Sequence, residues 1–279
     1  MTTIKVGVYV DAENVLRCGG HGLRYDTLLD FILSQPGAVL QRACIYQGVD
    51  KERIQAEDLY RTSVHGFQRA LRDGGWKIVE KPVRWFLQED GSKIYKANAD
   101  IDMTVDILTQ ARNLDRIILV TGDGDFTALV EELQNQGKRV EVLSFLNTAL
   151  ELQQSADQYY SGYLVPGLLP VRDAPAVPWG KPGSRIRGSC VHWDAAGHYG
   201  FIRFMRLESG GSLHLSDSRH PDSPYQSAFV AGSEIPKTFP QQYLAQRQAI
   251  LEFDLFESDR DPDSFVARNC TVITSRYAA

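Results

Sequence analysis

Apolar positions over the first 165 residues alternate between a strand-like and a helix-like period. Ile4-Lys5-Val6-Gly7-Val8-Tyr9-Val10 is a β-branched run ending in Asp11-Ala12-Glu13-Asn14. Ile117-Ile118-Leu119-Val120 is an aliphatic run ending in Thr121-Gly122-Asp123-Gly124-Asp125. Runs of this kind predict buried strands. Helical spacing resumes at Leu129, Val130 and Leu133, so Asp123 and Asp125 fall where a strand gives way to a helix. Between the two runs the spacing predicts a short helix over 25–33 and a strand over 38–46. A long amphipathic helix over 52–72 follows, carrying Ile54, Leu59, Val64, Phe67 and Leu71 and stopped by Asp73-Gly74-Gly75. Next comes a strand-like segment over 76–86 that Pro82 bends or confines to an edge. A helix begins near Asp100, with Ile101, Val105 and Leu108 at helical spacing. A strand over 139–145 and a helical stretch over 148–157 complete an alternation that predicts an α/β domain with a parallel sheet.

The pattern changes at Pro166. Pro166, Pro170, Pro175, Pro178 and Pro182, with interspersed glycines, predict a stiff extended linker over 166–184 rather than a packed element. Beyond it, short aromatic and β-branched segments are broken by Gly, Ser and Asp, with helical periodicity only near 241–251. This half reads as a small β-barrel. The expected domains are therefore 1–165 and 185–279.

A 279-residue chain with 43% hydrophobic and 23% charged residues suits a folded two-domain protein and excludes a disordered one. Its net charge of -5 excludes a uniformly basic nucleic-acid coat while leaving room for a local basic groove. Cys18, Cys44, Cys190 and Cys270 form no C-x-x-C pair, which argues against a zinc site or a disulfide framework and for a reducing compartment. The N-terminus has no charged leader before an apolar segment, and no apolar run nears the roughly 18 residues of a membrane span. The expectation is a cytoplasmic protein without a membrane partner.

Acids delivered to the carboxyl edge of a parallel sheet lie where ligands bind in such folds, although Asp at a strand-to-helix turn also serves as a helix cap. Asp11 and Asp123 arrive from two strand ends, and Asp100 arrives at a helix start. Two carboxylates about 4 Å apart at an effective dielectric near 20 repel by roughly 4 kcal/mol, so a gathered cluster calls for a cation or a raised pKa. Oxygen donors with no neighbouring His or Cys select Mg²⁺ or Mn²⁺. Such an ion suits phosphoryl chemistry.

Val8-Tyr9-Val10-Asp11-Ala12-Glu13-Asn14, the acids Asp100 and Asp106, and Thr121-Gly122-Asp123-Gly124-Asp125-Phe126 resemble, in order and spacing, the NYN domains, a PIN-like group of metal-dependent ribonucleases. The resemblance spans about residues 3–165. It implies that Asp11, Asp100, Asp123 and Asp125 surround the metal while Asn14 and Thr121 orient the site. Asp102 departs from the family pattern, as an extra acid or a solvated helix residue.

Gly188-Ser189-Cys190-Val191-His192-Trp193-Asp194, His198-Tyr199-Gly200-Phe201-Ile202, Leu213-His214-Leu215-Ser216-Asp217 and the closing run 265–272 resemble a cold-shock domain. That resemblance implies an OB-type barrel whose Trp193, Tyr199, Phe201 and His214 stack on bases of single-stranded nucleic acid. Ser212 replaces a customary Phe, and 218–240 is longer than the usual loop. Together the two halves read as a Mg²⁺- or Mn²⁺-dependent ribonuclease acting on single-stranded RNA. The alternative is a non-catalytic RNA-binding or assembly protein with an idle site. Oligomeric state and cleavage polarity stay open.

Overall fold

The β-branched and aliphatic runs build one sheet and the aromatic second half closes a barrel. In chain order the elements are β1 (Ile4–Asp11), α1 (Ala12–Arg17), α2 (Tyr25–Leu33), β2 (Ala38–Val49), α3 (Lys51–Ala56), α4 (Asp58–Asp73), β3 (Lys77–Pro82), β4 (Arg84–Leu87), β5 (Lys93–Lys96), α5 (Ala99–Ala111), β6 (Arg116–Val120), α6 (Thr127–Asn135), β7 (Arg139–Ser144), α7 (Leu150–Ser155) and β8 (Gln158–Ser161). They are followed by β9 (Arg185–Asp194), β10 (Tyr199–Met205), β11 (Tyr225–Ala231), β12 (Ile250–Glu257) and β13 (Phe265–Thr274). The computed structural model describes residues 3–87, 93–96, 99–206, 213–215, 217–246, 249–259, 261 and 264–274. Two units result, one of residues 1–21 and 37–160 and one of residues 22–36 and 161–279.

The sheet order is β3-β2-β1-β6-β7-β8, and the pairs from β3 through β7 are parallel. All five residues of β6 are buried, as expected of a central parallel strand covered on both faces. From β1 the chain winds outward through β2 and β3, then crosses back to β6 and β7 on the other side. The topological switch point therefore lies between β1 and β6, where ligands bind in open α/β sheets. On one face Tyr9, Tyr46 and Leu119 pack with Met103 and Ile107 of α5 and with Val130 and Leu133 of α6.

Two helices differ from the spacing read in the sequence. The helix over 52–72 is broken at Glu57, whose backbone is extended, giving α3 and α4, and Leu59 lies exposed. In α5 the stripe Ile101, Val105 and Leu108 faces outward, with Ile101 61% and Val105 57% exposed, while Met103, Ile107 and Ala111 point into the core. An ion ladder accompanies this rotation. Asp102 pairs with Lys81, and Asp106 lies 3.7 Å from Lys77 Nζ and accepts from Tyr46 Oη at 2.8 Å. Asp102 is thus a partner of β3. Ile107→Ala should cost ~2–5 kcal/mol and Val105→Ala under about 0.5 kcal/mol in urea denaturation; equal costs would refute this orientation.

The barrel is closed in the order β10-β11-β13-β12-β9, with β11 and β13 parallel and the other described pairs antiparallel. Ile186, Ile202, Phe204, Val230, Leu251 and Phe253 belong to its core. The helical periodicity near 241–251 corresponds to a 3-10 segment, Gln241–Gln246, followed by the start of β12. Residues 166–184 carry packed positions. Leu168 and Leu169 are buried, and the Trp179 indole packs on the barrel core and donates to Met205 O at 2.8 Å. Arg187 donates to Pro170 O at 2.7 Å, and Gly183 N donates to Leu255 O at 2.7 Å. Prolines lack donors but keep their carbonyls, and glycines keep both groups, so such a stretch still ties to a neighbour. Among the described residues no helix is long and apolar enough to cross a membrane.

Candidate functional site

Asp11 ends β1 and caps α1, its Oδ1 accepting from Asn14 N at 3.1 Å. Six residues of α1 later, Arg17 lies 3.9 Å from Glu13. Across the switch point, Thr121 follows the last residue of β6. Its hydroxyl donates to Asp11 Oδ2 at 3.5 Å and accepts from Asp123 N at 3.3 Å. Asn14 Oδ1 accepts from Gly122 N at 2.7 Å. The two strand ends are therefore stitched together by Thr121 and Asn14, which brings Asp11 and Asp123 to one place.

Space for a side chain is tight inside this turn. A Cβ on Gly122 would sit 3.2 Å from Thr148 Cα and 3.5 Å from Asn14 Oδ1, and one on Gly124 would sit 2.8 Å from Glu151 Oε1. Gly122 O in turn accepts from Ala149 N at 2.9 Å. Asp123 caps the following turn by accepting from Asp125 N at 3.1 Å, and Asp125 is exposed.

Burial pushes the Asp11 carboxyl above its usual range; Asn14 N and Arg17 oppose the shift and the charge of Asp123 adds to it. Glu13 is raised by burial and by Asp11, against the pull of Arg17. This edge concentrates negative charge that the protein only partly compensates. Asp100 is exposed in the first turn of α5. No three His, Cys, Asp or Glu side chains converge as a ready-made metal cluster among the described residues. Asn14→Ala would leave Gly122 N–H without its acceptor, and a loss of ~1–3 kcal/mol in thermal or urea unfolding is expected; an unchanged midpoint would contradict that bond's importance.

On the barrel, strand alternation sorts the aromatic residues. Phe201 is paired with His192 on one side and Phe229 on the other, and Phe201 and Phe229 are each 37% exposed. Their rings meet edge-on at 6.0 Å. Tyr199 stacks on Phe229 at 5.8 Å and meets Phe201 at 6.3 Å, and His192 lies 6.3 Å from Phe201. Of the expected stacking residues, Tyr199 and Phe201 join this cluster, whereas Trp193 packs against the barrel core. Cross-strand pairing with Phe201 marks His192 as the outward residue and leaves the adjacent Trp193 on the other face. His214 is exposed in a turn. Ser212 lies outside the described residues.

A family model described as the NYN domain matches residues 5–166. The chain belongs to the NYN domain family, within the PIN-like nuclease superfamily. The chain is 26% identical over 161 residues to the low amplitude and bright protein LabA of Synechococcus elongatus, a match covering 56% of this chain and 82% of that protein. It is also similar to a solved structure of a protein of unknown function from Vibrio parahaemolyticus, at 26% identity and a TM-score of 0.44, covering 57% of this chain and 92% of that one. Within the NYN domain the sequence reading named Gly122 as part of the T-G-D-G-D run but gave no role to Thr148 and Glu151, which reach the turn only through tertiary contact.

Proposed function

We propose that this chain is a Mg²⁺- or Mn²⁺-dependent ribonuclease that hydrolyses single-stranded RNA at the Asp11–Asp123 edge. The observation that carries the reading is the meeting of these two carboxylates at the sheet's switch point, with Asp11 raised by burial and by its neighbour's charge. The donor set is oxygen only, and Mg²⁺ characteristically takes one or two carboxylates while keeping waters and substrate phosphate. Asp11 and Asp123 would hold the ion, with exposed Asp125 and Asp100 available to waters or substrate. When bound, the cation supplies an activated water and charge stabilisation for a phosphodiester. Thr121 and Asn14 keep the acids in register, and Arg17 offers a positive charge to an incoming phosphate. The ring cluster His192, Tyr199, Phe201 and Phe229 supplies base stacking on a cold-shock-like barrel.

A second reading, RNA binding without turnover, draws on the partly exposed rings of the barrel, which need no metal to stack on bases. End-labelled single-stranded RNA incubated with Mg²⁺, Mn²⁺ or EDTA separates the two. Metal-dependent cleavage supports the nuclease; binding without cleavage under every metal supports the second reading.

A further inference from the structure

We propose that the outer face of α5 is the contact surface of a homodimer, in which α5 packs antiparallel against α5 of a second copy of this chain. Neither Asp11 nor Asp123 takes part, so this contact and the nuclease reading stand or fall separately. Helix α5 is apolar on two sides. Met103, Ile107 and Ala111 fill the core, whereas Ile101, Val105 and Leu108 are exposed. Positions 101, 105 and 108 are spaced i, i+4, i+7, so these three side chains form a row along one helix face. Among the described residues α5 is the only helix to expose three large aliphatic side chains. Single exposed apolar residues are ordinary on a protein surface, but a contiguous row marks an interaction site. The polar groups beside the row already have partners within the chain. Thr109 donates its hydroxyl to Val105 O at 2.8 Å, Asp106 meets Lys77 and Tyr46, and Asp102 meets Lys81. Covering this face therefore strands few polar groups, which is a chief penalty of burying a surface.

Charge selects the occupant. The first turn of α5 carries Asp100 and Asp102, and the residue that follows the helix is Arg112, itself exposed. Arg112 continues the row, four residues beyond Leu108. One end of the apolar row is thus acidic and the other basic, which is complementary to a reversed copy of itself. In an antiparallel pair centred on the row, Val105 lies opposite Leu108 of the second copy and Ile101 lies opposite Arg112 of the second copy. The arginine stem then covers Ile101 while its guanidinium reaches Asp100 and Asp102. A twofold axis makes every such contact twice, as in isologous dimers generally. A parallel pair would bring like charges together at both ends. Helix α5 has 13 residues and is about 20 Å long. One helix pair of that length lies at the small end of specific interfaces, so the expected dimer is weak and depends on concentration.

Sedimentation velocity on the full chain, from about 1 to 100 µM and at low and high salt, tests this. The unaltered chain should pass from monomer to dimer across the series, and the dimer should weaken as salt rises. Val105→Arg sets a charge at the centre of the row, at an exposed position. It should be monomeric throughout, with unchanged far-UV circular dichroism. Arg112→Ala should raise the dissociation constant roughly 2- to 30-fold, the loss of two exposed ion pairs, and remove most of the salt dependence. A chain that stays monomeric over the whole series overturns the proposal. So does a dimer that survives Val105→Arg, since another surface then makes it. Dimer loss in Val105→Arg, with affinity and salt response unchanged in Arg112→Ala, overturns the antiparallel arrangement. An unaltered monomer that binds fluorescein-labelled single-stranded RNA, and loses that binding in Val105→Arg, assigns the row to nucleic acid and overturns the dimer. None of these readouts uses cleavage, so the nuclease reading is judged apart from them.

Discussion

Asp11→Asn is expected to abolish metal-dependent RNA cleavage and, at the same time, to make the metal-free protein more stable. The change keeps the shape of the side chain, and Asn accepts from Asn14 N as well as Asp does, so the cap on α1 survives. What it removes is a charge that burial and Asp123 both disfavour. Active-site residues are commonly held at a cost in stability, and their neutral replacements recover roughly 0.5–2 kcal/mol. Removing a group that merely orients a metal ligand typically costs 10- to 100-fold in metal affinity or activity, so losing the carboxylate itself should cost at least about 100-fold. Asp123→Asn should lose activity to a similar degree. Thermal unfolding with and without Mg²⁺ provides a second readout, because an ion that binds only the folded state raises the midpoint. The unaltered chain should show that rise and Asp11→Asn should not. Full cleavage by Asp11→Asn, or a lower midpoint without metal, would remove Asp11 from the metal role assigned to it.

The acid edge was legible because each half of it is local. A strand run followed by a polar turn needs no tertiary information; Asp11 ends one such run and Asp123 lies three residues beyond the other. Parallel pairing of β1 with β6 then brings them together. Features that depend on helix rotation were harder to read. Helix α5 has apolar residues on two sides, and periodicity alone cannot choose between Ile101-Val105-Leu108 and Met103-Ile107-Ala111. The structure chooses the second set, with Asp102 and Asp106 meeting Lys81 and Lys77. The proline-rich segment misled for another reason: its composition reports backbone stiffness, while Trp179 and the free carbonyls decide whether it packs.

If the barrel binds RNA as proposed, its aromatic residues divide into rings that hold the fold and rings that would meet the bases. Phe201→Ala and Phe229→Ala should each weaken single-stranded RNA binding by ~1–3 kcal/mol while leaving the barrel nearly as stable, since both rings are substantially exposed. Trp193→Ala should do the reverse. Its ring packs on the barrel core, so unfolding in urea should come earlier by about 2 kcal/mol, below the ~3–5 kcal/mol of a fully buried Trp. The double change Phe201→Ala with Phe229→Ala should cost less than the sum of the two. Those rings touch at 6.0 Å and Tyr199 leans on both, so removing one already loosens the platform that the other shares. The comparison is fluorescence anisotropy with labelled RNA beside urea denaturation for all four variants. Phe229 carries the sharper half of the test, because its place next to Phe201 comes from the β10–β11 register rather than from any motif spacing. If Phe229→Ala binds RNA as the unaltered chain does while Trp193→Ala loses binding without losing stability, the nucleic-acid face lies on the Trp193 side of β9 and the outward ring cluster has some other use.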